Sequence, residues 1–269
     1  MVAARATGNE STDTASSLQR GIELLFALGE DEALDAGGMG VTRIAELVGR
    51  EKSQVSRALK VLAGSGLVDR DPATLGYRLG WRFFALAARA GQPSLRAAAP
   101  PVLRGLVDAV GETAHLSVLA GPEVLTVLTE SPPSAVVAAG WVGRRVPAWC
   151  TASGRALQFG STPEEVRARF AGVELRGGRA PNTPRSLRDV VARLSADQGR
   201  GWALADEELE PGLVAVATPV RDADGRVVAS LNVSAPKFRL GGRLDAAGAT
   251  VLVAADDLSR QLGHDAPAA

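Results

Sequence analysis

Residues that carry redox, metal and disulfide chemistry are scarce in this chain. One cysteine, Cys150, excludes an intramolecular disulfide and any site built from several cysteines. Two histidines, His115 and His264, leave little for zinc. Charge of one sign is lacking as well: 30 Lys and Arg stand against 30 Asp and Glu. The protein is therefore no polybasic coat, and any binding of DNA has to come from a local cluster. No apolar run reaches the length of a membrane span, and Met1–Ala6 lacks the apolar core of a signal peptide. No phosphate loop or dinucleotide fingerprint occurs. These absences predict a cytoplasmic protein with no membrane partner, no cofactor and no metal.

What the chain does have is an ordinary globular composition over 269 residues, enough for two domains with separate cores. The most informative stretch runs from Val41 to Leu79. Thr42–Val48 reads as a short helix with Ile44, Leu47 and Val48 inward, and Gly49-Arg50 as a tight turn. A second helix follows from Glu51, with Val55, Leu59 and Leu62 on its inner face. Lys52, Ser53, Gln54, Ser56, Arg57 and Lys60 are left outside, where cations suit phosphates and short polar side chains suit base edges. From Arg50 to Lys60 the cations Arg50, Lys52, Arg57 and Lys60 face Glu51 alone. Gly64-Ser65-Gly66 ends the helix. Leu67–Arg70 and Tyr77–Leu79 then read as strands around the turn Asp71–Gly76. Helix, turn, helix and hairpin form a winged helix-turn-helix. Thr42, at the start of the first helix, and Arg70 and Arg78 on the wing complete the expected contacts to double-stranded DNA.

In this segment, from Ser17 to Leu79, the chain resembles the IclR-type bacterial transcription regulators. The resemblance continues through Gly111–Leu116, Val142–Pro147, Thr151–Ala156 and Ala217–Asp222, and covers nearly everything but the tails. It implies an α+β protein with an N-terminal winged helix-turn-helix, a linker helix that helps make a dimer, and a C-terminal GAF-like effector-binding domain. It also implies a small-molecule effector, a pseudo-palindromic operator, and self-assembly as a dimer or dimer of dimers.

Residues 1–15 are small and polar and read as a disordered tail. Ser16 or Ser17 caps a helix with Leu18, Ile22, Leu25 and Leu28 inward, opening a DNA-binding domain that spans 16–80. The acidic loop Gly29–Gly38 reads as a solvated insertion that its charge keeps off the DNA. Trp81–Ala90, in the linker 81–93, is an apolar helix that must cover its face with its own chain or with a second copy. The effector domain runs over 94–263, and 264–269 form a tail. It opens with a helix from Leu95 to Val110 broken at Pro100-Pro101. Strands are expected at Thr113–Leu119 and Val124–Thr129, with strand-like material over Ala135–Val146, and a helix over Thr151–Phe159. Thr162-Pro163-Glu164-Glu165 is a capping box, and Ser186 starts a helix toward Gln198. Strands at Trp202–Asp206, Val214–Val220 and Val227–Ser234 and a helix at Leu244–Leu262 close a mostly antiparallel sheet flanked by helices.

The candidate ligand site centres on Trp149-Cys150-Thr151-Ala152-Ser153-Gly154. A helix begins there, with unpaired N–H groups and a dipole that favour an anion such as a carboxylate. Small side chains at Ala152 and Gly154 leave room for the ligand. The resemblance adds Asp206, Ala215, Asn232 and Ser234 as pocket positions. Members of the family often carry cysteine where Ala215 stands, serine where Asn232 stands and histidine where Trp149 stands. These departures point away from small 2-oxoacids and toward an effector with an apolar or aromatic body, covered by Trp149. The competing enzyme would use Cys150 with His115 as base, or a carboxylate pair from Asp206-Glu207-Glu208 and Glu210. A third alternative is a sensor whose winged helix contacts protein.

Overall fold

The computed structural model describes residues 10–30, 32–33, 36–89, 93–133, 141–175 and 180–264. It divides into two compact units, residues 1–93 and 94–269.

In the first unit, α1 (Glu10–Ala27) precedes α2 (Val41–Leu47) and α3 (Lys52–Gly64), and β1 (Val68–Arg70) pairs antiparallel with β2 (Tyr77–Leu79). α4 (Trp81–Arg89) follows the hairpin. Both helix ends in the central motif close in the same way. Gly49 and Gly66 adopt φ of +63° and +72°. Arg50 N–H then reaches Ala45 O, and Leu67 N–H reaches Leu62 O, the closure that a left-handed residue just past a helix permits. Leu24, Leu28, Ile44, Val55, Leu59, Val68 and Tyr77 make the core.

Four expectations are corrected in this unit. α1 begins at Glu10, so Ser16 and Ser17 lie inside the helix and do not cap it. Its buried side is Leu24, Ala27 and Leu28, whereas Leu18 and Ile22 are exposed, because only the last turns of α1 reach the other helices. Leu47 is exposed too; Ala45 takes its place beside Ile44. The acidic loop is no detached insertion: Ala33 is buried in the core, and Glu32 pairs with Arg43 at 2.8 Å.

The second unit has one six-stranded antiparallel sheet in the order β5-β4-β3-β8-β7-β6. Its strands are β3 (Thr113–Ala120), β4 (Glu123–Glu130), β5 (Arg145–Pro147), β6 (Ala203–Asp206), β7 (Leu213–Arg221) and β8 (Val227–Pro236). Side chains alternate across each strand, which gives the sheet two packed faces. One carries Leu116, Val214, Val216, Leu231 and Val233 against α5 (Pro93–Val110) and α10 (Leu244–Gln261). The other carries Ala205, Ala215 and Ala217 against α6 (Ala152–Ala156), α7 (Pro163–Arg169) and α8 (Leu187–Arg200). The short α9 (Lys237–Leu240) leaves the end of β8.

α5 is one continuous helix through Pro100 and Pro101, not a broken pair. Two prolines remove two N–H donors, but the apolar face Leu95, Ala99, Leu103, Leu106, Val110 is buried on both sides of them, and that packing holds the axis. The helix at Thr151 is also shorter than expected, ending at Ala156. Of the strand expected over 135–146, residues 135–140 lie outside the described residues, and β5 holds only Arg145–Pro147. The capping box at Thr162 and the Ser186 cap are present as the sequence predicts.

Candidate functional site

On α3, Lys52, Ser53, Arg57 and Lys60 are exposed, and Gln54 and Ser56 are half-buried on the shoulders of the same face. Val55 and Leu59 are fully buried beneath them and fix the helix to the core. Thr42 is exposed on α2, and Arg78 on the wing. Arg70 is exposed with its guanidinium 5.5 Å from the Tyr77 ring, which braces it across the hairpin. Arg50, counted as part of the local cation cluster in the sequence, is neutralised by Glu23 at 2.9 Å. The Asp71 carboxylate accepts the N–H groups of Thr74 and Ala73, which shapes the wing turn and holds that carboxyl below its usual range.

In the second unit a cavity opens on the face of the sheet covered by α6. It encloses about 540 Å³ of empty space, its open mouth included. The structure brings Cys150, Thr151, Ala152, Ser153, Ala215, Asn232 and Ser234 together in its wall. The cross-strand pairs explain this: His115 faces Asn232, Asn232 faces Ala217, and Ser234 faces Ala215, all on one side of the sheet. Thr151 Oγ1 accepts the Gly154 N–H at 3.2 Å and donates to Pro147 O at 3.0 Å. Asn232 Nδ2 donates to Ser153 Oγ at 2.8 Å, while Asn232 Oδ1 is buried without a partner.

Trp149, Gly154 and Asp206 do not line the cavity. Trp149 is 1% exposed and packs in the core beneath α6. A Cβ on Gly154 would stand 2.0 Å from Ala148 O, so glycine there serves the chain's own close turn and not a ligand. Asp206 turns away and pairs with Lys237 at 2.8 Å.

His115, Ser117, Thr126, Trp141 and Glu208 are in the wall, and sequence reasoning did not assign them to it. A signal existed for the first two. Polar residues recur at every second position of otherwise apolar strands, at His115 and Ser117 and again at Ser230, Asn232 and Ser234. Trp141 had no such signal; its ring lies 5.4 Å from His115 and 4.3 Å from the Arg144 guanidinium.

Below the cavity lies a buried charge network. Arg155, 1% exposed, binds Asp197 and Glu208 at 2.5 Å each and also Leu204 O. Arg193 reaches Glu208 at 2.7 Å and Arg200 reaches Asp197 at 3.3 Å. Both carboxylates are thus fully engaged, so Glu208 reaches the cavity as a paired ion.

The nucleophilic alternative fails on this geometry. His115 Nδ1 pairs with Thr129 Oγ1 at 2.9 Å and Nε2 with Ser234 Oγ at 3.2 Å, leaving no ring nitrogen for Cys150. Burial lowers the His115 pKa to about 4 and pushes the Cys150 thiol up to about 12. The carboxylate alternative fails as well: Asp206 and Glu207 share Lys237, and Glu210 pairs with Arg144. Among the described residues no cluster of His, Cys, Asp and Glu could hold a metal ion, and no helix is long and apolar enough to cross a membrane.

A winged helix-turn-helix joined to a domain with a small-molecule cavity defines a ligand-binding transcription regulator. Residues 17–72 match the model of the IclR helix-turn-helix domain, and residues 88–260 that of the bacterial transcriptional regulator IclR C-terminal domain. The chain belongs to the IclR family of bacterial transcription regulators. It is 32% identical over 270 residues to the HTH-type transcriptional regulator KdgR of Escherichia coli (strain K12), covering 98% of this chain and 99% of that one. The Thermotoga maritima IclR crystal structure superposes with a TM-score of 0.73 at 25% identity, over 93% of this chain and 100% of the other. An IclR homologue from Microbacterium hydrocarbonoxydans, crystallised with 4-hydroxybenzoate, shares the fold with a TM-score of 0.77 at 23% identity, over 91% and 98% of the two chains.

Proposed function

We propose that the cavity binds a small organic acid with an apolar or aromatic body and a hydroxyl or amine group, and that this ligand controls binding of α3 and the wing to an operator. The unpartnered Asn232 Oδ1 carries this reading. A buried acceptor without a donor costs about 1–3 kcal/mol, and this one lies in the wall of a cavity where a ligand donor would satisfy it. The anion belongs on the opposite edge. Ser153 Oγ already accepts from Asn232, so its proton is free to be donated. At the helix start Thr151 takes the Gly154 N–H, which leaves those of Ala152 and Ser153 for a carboxylate. Val124, Val146, Leu209 and Leu213 supply apolar wall for the body, with Trp141 in the covering role that the sequence suggested for Trp149.

On the DNA side, Arg57 and Gln54 are placed to meet base edges, with Lys52, Ser53, Ser56 and Lys60 around them; Thr42, Arg70 and Arg78 sit on the flanking elements. One such domain buries too little for tight specific binding, so two copies meet two half-sites of a pseudo-palindromic operator. Trp81 and Leu86 of α4 are 78% and 53% exposed, which supports that helix as the seam of a dimer or dimer of dimers. The protein works in the cytoplasm, where the chromosome is.

The test is thermal melting with benzoate, 4-hydroxybenzoate and 4-hydroxybenzamide. The acids are expected to raise the melting temperature and the amide is not; Asn232→Leu is expected to erase the preference for the hydroxylated acid. An amide that binds as well as its acid would remove the anion site, and no shift with any acid would remove the proposal.

A further inference from the structure

The two walls of the cavity are tied together at its mouth by one side chain. Arg144 lies with its guanidinium 4.3 Å from the centre of the Trp141 ring, itself part of the wall. Its Nη2 reaches Glu210 Oε1 at 3.4 Å. Glu210 stands next to Leu209 and near Leu213, both in the opposite wall. Arg144 and Glu210 are 45% and 55% exposed, so the pair sits outward of the wall residues, facing water.

The two sides differ in how firmly they are held. The turn that presents Glu210 is pinned at several points. Lys237 binds Asp206 at 2.8 Å and Glu207 at 2.7 Å, and Glu207 accepts the Gly212 N–H at 2.8 Å. Glu208 is anchored by Arg155 and Arg193. On the other side, Gly143 N–H donates to Thr126 O and Thr126 N–H to Arg144 O, two backbone bonds that attach the turn to β4, with an exposed Arg145–Glu123 pair at 3.1 Å just beyond it. Trp141 and Arg144 then close over the cavity by ring stacking and one exposed ion pair. Contacts of that kind are weak and open readily.

We propose that Arg144 is the closing residue of the cavity: by clamping Trp141 against the Glu210 turn, it sets how large a molecule can enter and how fast. It acts through Trp141 and Glu210, not by touching ligand. The inference rests on the cavity being a ligand site, but its test does not.

Cys150 provides the readout. It is the only cysteine, it is fully buried, and it lines the cavity, so a neutral thiol reagent reaches it through the mouth. The rates of labelling of the full-length protein by N-ethylmaleimide and by the bulkier N-(1-pyrenyl)maleimide are compared, with Cys150→Ser as blank. Arg144→Ala and Glu210→Gln are each expected to speed the pyrenyl reagent roughly three- to tenfold, the range that weak exposed contacts supply, and the ethyl reagent less. The double variant should be no faster than Arg144→Ala. Added salt should speed the wild type and leave Arg144→Ala unchanged, since it screens an exposed pair. Arg226→Ala, which breaks another exposed pair at 2.7 Å, should have no effect.

Three results would overturn the proposal: unchanged rates, an equal gain for both reagents, or an equal gain in Arg226→Ala. None of them bears on whether an acid binds, which the melting panel decides separately.

Discussion

Burial, not a charged neighbour, sets the proton affinity of His115. The ring is 4% exposed and its pKa falls from 6.5 to about 4. The folded state therefore resists a proton that the unfolded chain accepts, and stability is lost as pH drops from about 6.5 toward 4. Over that window the loss is roughly 3 kcal/mol. His115→Gln is expected to flatten this slope in melting curves taken between pH 7 and pH 4; an unchanged slope would place the titrating group elsewhere. Arg155 makes a sharper case. Replacing it with Ala leaves Asp197 and Glu208 buried with Arg200 and Arg193 as their remaining cations among the described residues, and losing one partner of a buried pair costs about 3–5 kcal/mol. A loss below about 1 kcal/mol would show that the flanking arginines take over. At this scale the sequence carried part of the site. Ser153 was read from the helix start, and Asn232 and Ser234 from the family resemblance; strand alternation, which turns those two to one face of the sheet, is the physical signal behind them. Trp149 was misplaced because nothing local tells one tryptophan from another eight residues away. Which of the two reaches the cavity depends on how β4, β5 and α6 pack, and that is a non-local outcome.

Elements with strong local punctuation were legible almost to the residue. The winged helix is an example, since glycines at 49 and 66 and the hairpin turn each force one conformation. α5 was not, because burial on both sides of a proline pair outweighs the breaker signal. Two predictions belong here. Thr162→Ala removes one half of the capping box, the Glu165 N–H to Thr162 Oγ1 bond at 3.2 Å, and leaves the backbone N–H of residue 162 to donate to the Glu165 carboxylate. It should cost about 1 kcal/mol in chemical denaturation and leave DNA binding intact. On α3, Arg57→Ala should cost roughly 1–3 kcal/mol on the specific operator and far less on random duplex, whereas Lys60→Ala should weaken both about equally. Equal losses for Arg57→Ala on the two DNAs would reduce it to a phosphate contact.

At the scale of the whole molecule, the zero formal charge leaves the arginine and lysine cluster of α3 as a local source of DNA affinity, which predicts tight binding to specific sites and weak binding to random duplex. The apolar face of α4 predicts a dimer at micromolar concentration; Trp81→Glu should shift sedimentation toward monomer and weaken the full operator more than an isolated half-site. The account stands or falls on the link between cavity and DNA. The most direct measurement is the affinity for an operator, selected from random duplexes, with and without a saturating acid that raises the melting temperature, in wild type and in Asn232→Leu. The account predicts that the acid changes operator affinity at least severalfold in wild type and much less in the variant, with affinity for random DNA unchanged. An acid that stabilises the protein yet leaves operator affinity the same would contradict it.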